Sequence, residues 1–330
     1  MVRSGFVESR HRGSFVLLDS DGSALISAGS TDVPMFPRSS NKPMQAVAML
    51  RCGLDLDGRL LALAAASHSG EETHVAGVRE ILHGAGLTEA ELQCPRDLPL
   101  DEAARNALLR AGGSAGRVHM NCSGKHAAML ATCVAAGWPT SSYRDPGHPL
   151  QVQIVKTVER LADEPVTAIG VDGCGAPLLA ISVAGLARAF SAIVRSEPGS
   201  SERRLADAMR AHPVWTSGTT RAEAALMAAV PGLLLKSGAE GVCAFALADG
   251  RAAAIKMDDG GQRAVPVVMA TVLRALLAGD ARAARGVLGS SATPGTPGVD
   301  LGALDRLAGP VVTGGGEPVG EIRAIATLAG

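Results

Sequence analysis

A chain of 330 residues is long enough to bury a large core, as one big domain or as two. Its 31 Lys and Arg balance 32 Asp and Glu to a formal net charge of −1, which removes any electrostatic case for nucleic acid or an anionic membrane as partner. No apolar run reaches the ~18 residues of a membrane-spanning helix. The start, Met1 to Glu8, lacks the long apolar core of a signal peptide, so the expected compartment is the cytoplasm. The six cysteines are then expected to be reduced thiols or metal ligands.

In chain order, the first elements form a hairpin. Ser14–Leu18 and Ser23–Ser27 are β-prone runs joined by Asp19-Ser20-Asp21-Gly22, and Asp-Gly between such runs is a hairpin signal. An apolar run from Met44 to Leu50 reads as a helix, and another helix begins near Leu60 and runs out before Ser67. Helical spacing recurs at Val75–Ala85, Asp101–Ala111, Lys125–Ala136, Leu150–Ala162, Leu178–Ala189, Ser201–Ala211 and Arg221–Val230, often stopped by Gly or Pro. Strand signals return at Gly241–Leu247 and Arg251–Met257, joined through Ala248-Asp249-Gly250. A helix over Val265–Leu277, a Gly/Ser/Pro-rich loop over Gly289–Gly298 and a closing strand over Val319–Leu328 complete the reading.

Strands at both ends with helices between them predict an α+β fold, with an antiparallel sheet built from the two termini and a largely helical middle lobe. No internal repeat or linker is visible. A single domain over residues 1–330 is expected, with its sheet part at about 1–38 and 236–330 and its helical part at about 39–235.

Three segments carry chemistry of one kind. Ser39 and Lys42 form a Ser-x-x-Lys pair just before a helix, a spacing that puts both side chains on one face. A serine hydroxyl needs a base to take its proton, and a lysine whose surroundings disfavour the ammonium form is such a base. Ser67-His68-Ser69 and Lys236-Ser237-Gly238 follow. The order matches the Ser-x-x-Lys, Ser-Asp-Asn and Lys-Thr-Gly signatures of serine β-lactamases and penicillin-binding proteins, with His68 in place of Asp. Taken singly, each has a plainer reading, as a capped turn at Ser67–Gly70 and a loop lysine at Lys236.

Two further segments, Asn121-Cys122-Ser123-Gly124-Lys125-His126 and Asp172-Gly173-Cys174-Gly175, bring thiols and an imidazole. From donor chemistry alone, Cys122, His126 and Cys174 are candidate zinc ligands, the alternative being small buried hydrophobes beside tight turns. Cys52, Cys94, Cys133 and Cys243 have no ligand-type neighbours and read as structural.

Together these segments, with Val7–Ser14, Phe36–Gln45 and Lys236–Gly241, resemble the bacterial L-asparaginase II family of thermolabile, Rhizobium-type asparaginases. The resemblance implies a penicillin-binding-protein/glutaminase-like fold, hydrolysis of L-asparagine to L-aspartate and ammonia, and a homodimer. It implies Ser39 as nucleophile with Lys42 as its base, and Ser67 with Lys236 as a second, proton-relaying pair, Lys256 being the alternative second lysine. It also implies zinc on Cys122, Lys125 and Cys174, which replaces His126 by Lys125 in the ligand set. His126 then sits near the site, and Arg38 and Asp172 flank the substrate.

Rival readings are a glutaminase or penicillin-type acylase of the same fold, a zinc hydrolase using metal-bound water, and a non-catalytic amino-acid or zinc sensor. A sensor has no use for a matched nucleophile and base.

Overall fold

The computed structural model describes residues 1–277 and 298–325. The N-terminal hairpin forms as expected, with strands Gly13–Leu18 and Ala24–Ala28. Those strands are not a free-standing hairpin. Gly13–Leu18 pairs antiparallel with Ala252–Met257, which pairs with Val242–Ala246, which pairs in turn with Leu234–Gly238. The result is a five-stranded antiparallel sheet that joins the two ends of the chain and has Leu234–Gly238 as one edge. A second sheet, of four strands, again brings the termini together, placing Val2–Arg3 between Glu317–Glu321 and Phe6–Val7. The expected closing strand thus occupies Glu317–Glu321. The tail of its expected range and nearly all of the Gly/Ser/Pro-rich loop lie outside the described residues.

The strands beside the edge, Val242–Ala246 and Ala252–Met257, are almost wholly apolar and almost wholly buried. Helix Val183–Arg195 packs across them and buries Val183, Leu186, Phe190, Ile193 and Val194. With so few aromatics, close packing depends on Ala, Leu, Val and Met, and Ala244, Ala252, Ala253 and Ala254 are all fully buried. Small residues here let a helix lie close on the sheet.

Most of the helical lobe lies where periodicity places it, including Lys42–Arg51, Ser123–Ala136, Pro149–Ala162, Ser201–Ala211, Ala222–Ala229 and Val265–Leu277. Two expectations are corrected. The helix expected over Leu178–Ala189 begins only at Val183, because the hydroxyl of Ser182 accepts from the Gly185 N–H at 2.8 Å and fixes the helix start there. Upstream, Pro177–Leu179 forms a ribbon with Ile169–Val171, and the turn between these strands carries Asp172 and Cys174. Lys236-Ser237-Gly238 is not a loop before a strand but part of the edge strand itself.

Candidate active site

Ser39 and Ser40 lie in a short 3-10 turn, Arg38–Asn41, that runs directly into helix Lys42–Arg51. Arg38, the residue before Ser39, has φ +52°, a left-handed conformation that is strained for a side chain with a Cβ. It is held there by Asp172, whose Oδ1 accepts from Arg38 Nε at 2.8 Å. Ser39 is half-buried, makes no side-chain hydrogen bond among the described residues, and lines a cavity of about 620 Å³. Ser67, Asn121, Arg221, Glu223, Ser237 and Gly238 line the same cavity.

Lys42 is 1% exposed. Its Nζ donates to Ala66 O at 2.6 Å and lies 2.9 Å from Ser67 Oγ and 3.1 Å from Cys122 Sγ. Three partners match the three N–H bonds of an ammonium. They also suit the free amine, because the Ser67 hydroxyl can turn and donate to its lone pair while Ala66 O and the Cys122 sulfur accept its two N–H groups. Only the turn of one hydroxyl separates the two arrangements. The structure ties Ser67 directly to Lys42, whereas the family pattern pairs Ser67 with Lys236.

Lys236 is also 1% exposed, on the edge strand, with Nζ 2.8 Å from Ser237 O and 3.8 Å from Glu223 Oε1. Burial pushes its ammonium down to about 8, with Lys42 and Arg221 adding to the shift and Glu223 opposing it. Lys256 gives its Nζ to Glu240 O at 2.7 Å and Met257 O at 2.6 Å, away from this cluster.

His68, the departure from the penicillin-binding pattern, has a settled structural job. Its Nδ1 accepts from the Gly70 N–H, which leaves the proton on Nε2. Nε2 donates to Ser123 Oγ at 2.8 Å, and that hydroxyl donates onward to Val118 O. Burial holds the imidazole neutral, well below its usual range. His68 thereby pins the Ser67 segment to the start of helix Ser123–Ala136.

Behind Ser67 lies the thiol cluster. Cys122 Sγ, Cys174 Sγ and an Asp172 oxygen all fall within 4.8 Å of one another. Lys125, 1% exposed, places Nζ 3.1 Å from Cys174 Sγ. Hydrogen bonding from Cys122 favours the Cys174 thiolate, with Lys125 and His126 helping against burial, while Cys122 stays a thiol. Burial alone would lower Lys125, but Cys174, Cys122 and Asp172 together hold it above its ordinary value. His126 lies beside Cys174, whose thiolate it favours, outside the trio of Cys122, Asp172 and Cys174. Its Nδ1 lies 2.6 Å from Tyr143 OH, and its Nε2 is buried without a hydrogen-bond partner.

Gly238 is where the edge strand and the Ser39 turn meet. A Cβ there would lie 2.4 Å from Pro37 O and 3.2 Å from Ser39 N. Gly238→Ala is therefore expected to push the edge strand off the nucleophile turn and cut turnover at least tenfold, since misplacement of about 1 Å costs on the order of a hundredfold. Steady-state kinetics with a melting curve check this. An unchanged kcat would show that this approach of backbones has no part in the reaction.

Sequence reasoning missed Glu223, a buried carboxylate on helix Ala222–Ala229. Its signal was present, as the single charge in an otherwise apolar helix. It missed Tyr143 as well, whose hydroxyl partner lies in a different element.

No curated protein matches the chain by sequence. Among solved structures the chain is similar to Mglu in its native form in the presence of 4.3 M NaCl, at 14% identity and a TM-score of 0.45, over 78% of this chain and 59% of that one. It is similar also to a protein of Bacteroides dorei DSM 17855 described as a beta-lactamase, at 13% identity and a TM-score of 0.40, over 77% of this chain and 91% of that one. The chain thus spans less than two thirds of the Mglu structure. The family model for L-asparaginase II matches residues 1–323, so the buried Ser, Lys and Cys cluster sits in a chain that belongs to the L-asparaginase II family, one of asparaginase-type amidohydrolases.

Proposed function

We propose that the protein hydrolyses L-asparagine to L-aspartate and ammonia through an acyl-enzyme on Ser39. The observation that carries the reading is a cavity lined by Ser39, Ser67 and Ser237, with the buried Lys42 bonded to Ser67, in a chain of the L-asparaginase II family. Lys42, as the free amine, takes the Ser39 proton, and Ser39 Oγ attacks the side-chain amide carbon. The backbone N–H groups beside Ser39 and Gly238 stabilise the oxyanion. Ser67, held by Lys42, passes a proton to the departing ammonia, and water then hydrolyses the ester. Lys236, as the free amine, completes the relay by taking up a proton and returning it. Burial, with the Lys42 and Arg221 charges, favours that amine on Lys236.

Arg38 and Asp172, joined by their 2.8 Å ion pair, flank the substrate in this reading, with His126 behind them beside Cys174. The donor chemistry of Cys122, Lys125 and Cys174, with Asp172 beside them, fits zinc, because thiolates and nitrogen donors are its ordinary ligands. Bound there, zinc would supply a positive charge toward the substrate, and Lys125 would surrender its proton to hold it. The active unit in this reading is a cytoplasmic homodimer of single-domain chains. Among the described residues no helix is long and apolar enough to cross a membrane.

Ammonia release from L-asparagine, L-glutamine and a chromogenic β-lactam, with and without a zinc chelator, tests the reading. Asparagine is expected to be the best substrate, and chelation to weaken turnover without abolishing it. Turnover that vanishes on chelation would move the nucleophile to metal-bound water, and no ammonia from asparagine would sink the assignment. The acid limb of kcat/KM is expected near pH 8. Lys236 is an ammonium below its value of about 8 and an amine able to accept a proton above it, so activity rises through that pH.

A further inference from the structure

Glu223 is a buried charge beside the cavity that the proposed reaction leaves unused. Its carboxylate is 8% exposed, on a helix whose other residues are apolar. A carboxylate in such a place is retained only when it is paired. Here it has three partners. Oε1 accepts from Ser237 Oγ and lies 3.8 Å from Lys236 Nζ, while Oε2 lies 3.3 Å from Arg221 Nε. Despite its burial the group stays ionised, pulled down to about 2 by Lys236, Arg221 and Ser237.

The fold explains why such a tie is needed. Leu234–Gly238 is an edge strand, with a backbone ladder only to Val242–Ala246. The Arg38–Asn41 turn and helix Ala222–Ala229 pack against it, and no second strand pairs with it among the described residues. No ladder fixes Lys236 and Ser237 from the other side, and the residue across the ladder from Lys236 is only Ala244. We propose that Glu223 is the positioning residue of this site, its carboxylate anchoring Lys236 and Ser237 of the edge strand at the cavity that Ser39 and Ser67 share. It acts through Lys236, and its importance to turnover rests on the proposed reaction. The other charged or titratable groups facing Lys236 are Arg221, next to the same helix, Lys42 from the nucleophile helix and Cys243 from the neighbouring strand.

The test compares wild type, Glu223→Gln and Glu223→Asp. Lysine carbons labelled with ¹³C follow the titration of Lys236, its signal assigned by loss in Lys236→Met. With the carboxylate removed, burial and Lys42 act unopposed, so in Glu223→Gln the Lys236 midpoint is expected to fall by about one pH unit or more. The acid limb of kcat/KM should move down with it while kcat drops about tenfold or more, and Glu223→Asp should restore part of both. A Lys236 midpoint that does not move would overturn the assignment. Should Glu223→Gln fail to fold, wild type alone decides. The ¹³C carboxyl signal of Glu223 must inflect at the Lys236 midpoint, and no inflection overturns the pairing. If wild type releases no ammonia from asparagine, the proposed reaction fails, while the titration still judges the pair.

Discussion

Ser39→Ala is expected to lose asparagine turnover by roughly a thousandfold or more while melting within about 2 °C of wild type. The two halves have one cause. Ser39 Oγ is half-buried at the cavity and makes no side-chain hydrogen bond among the described residues, so the fold gives up nothing when it is removed. A nucleophile, by contrast, has no substitute within the site. Single-turnover ammonia release and a thermal melt on the same preparation check both halves. Retention of more than a few per cent of the turnover would exclude Ser39 as nucleophile, and Ser67, whose hydroxyl lies 2.9 Å from Lys42 Nζ, would become the candidate.

Lys42→Met should lose turnover to a similar extent, and Lys42→Arg should not recover it. A methionine follows the same path through the core but neither takes a proton nor donates to Ala66 O, Ser67 Oγ and Cys122 Sγ. Stability is expected to change by no more than ~2 kcal/mol, because losing hydrogen bonds to buried acceptors opposes relief from burying an amine. The arginine variant separates two roles. A guanidinium keeps a cation in place but cannot deprotonate at working pH. Measurable turnover in Lys42→Arg, above about a tenth of wild type, would make Lys42 an electrostatic partner rather than the base.

Much of this architecture was legible from periodicity and turn residues. Asp21-Gly22 marked the hairpin, and the apolar run after Lys42 marked the helix that presents it. What escaped depends on partners distant in sequence. Leu234–Gly238 is too short to show a period, and it is a strand because Val242–Ala246 lies beside it. Val183 rather than Leu178 starts a helix because one capping serine and one ribbon pairing outweigh an apolar spacing. In the site, the ingredients could be read but not their wiring. Ser67, Lys42 and Cys122 stood out as residues, yet the bonds joining them span separations of 25 and 80 positions. Glu223 meets Lys236 from another element, and no local pattern announces such a pair.

The burial of lysines has a practical side. The chain has five, and three of them, Lys42, Lys125 and Lys236, are sealed to 1% exposure. Lys256 is half-buried with its amine engaged by two carbonyls, which leaves Lys156 as the exposed one. Reagents that acylate amines would therefore meet Lys156 and the amino terminus first. A fluorophore or a resin attached by that chemistry would hold the folded protein at one or two defined points, with the three buried lysines out of its reach.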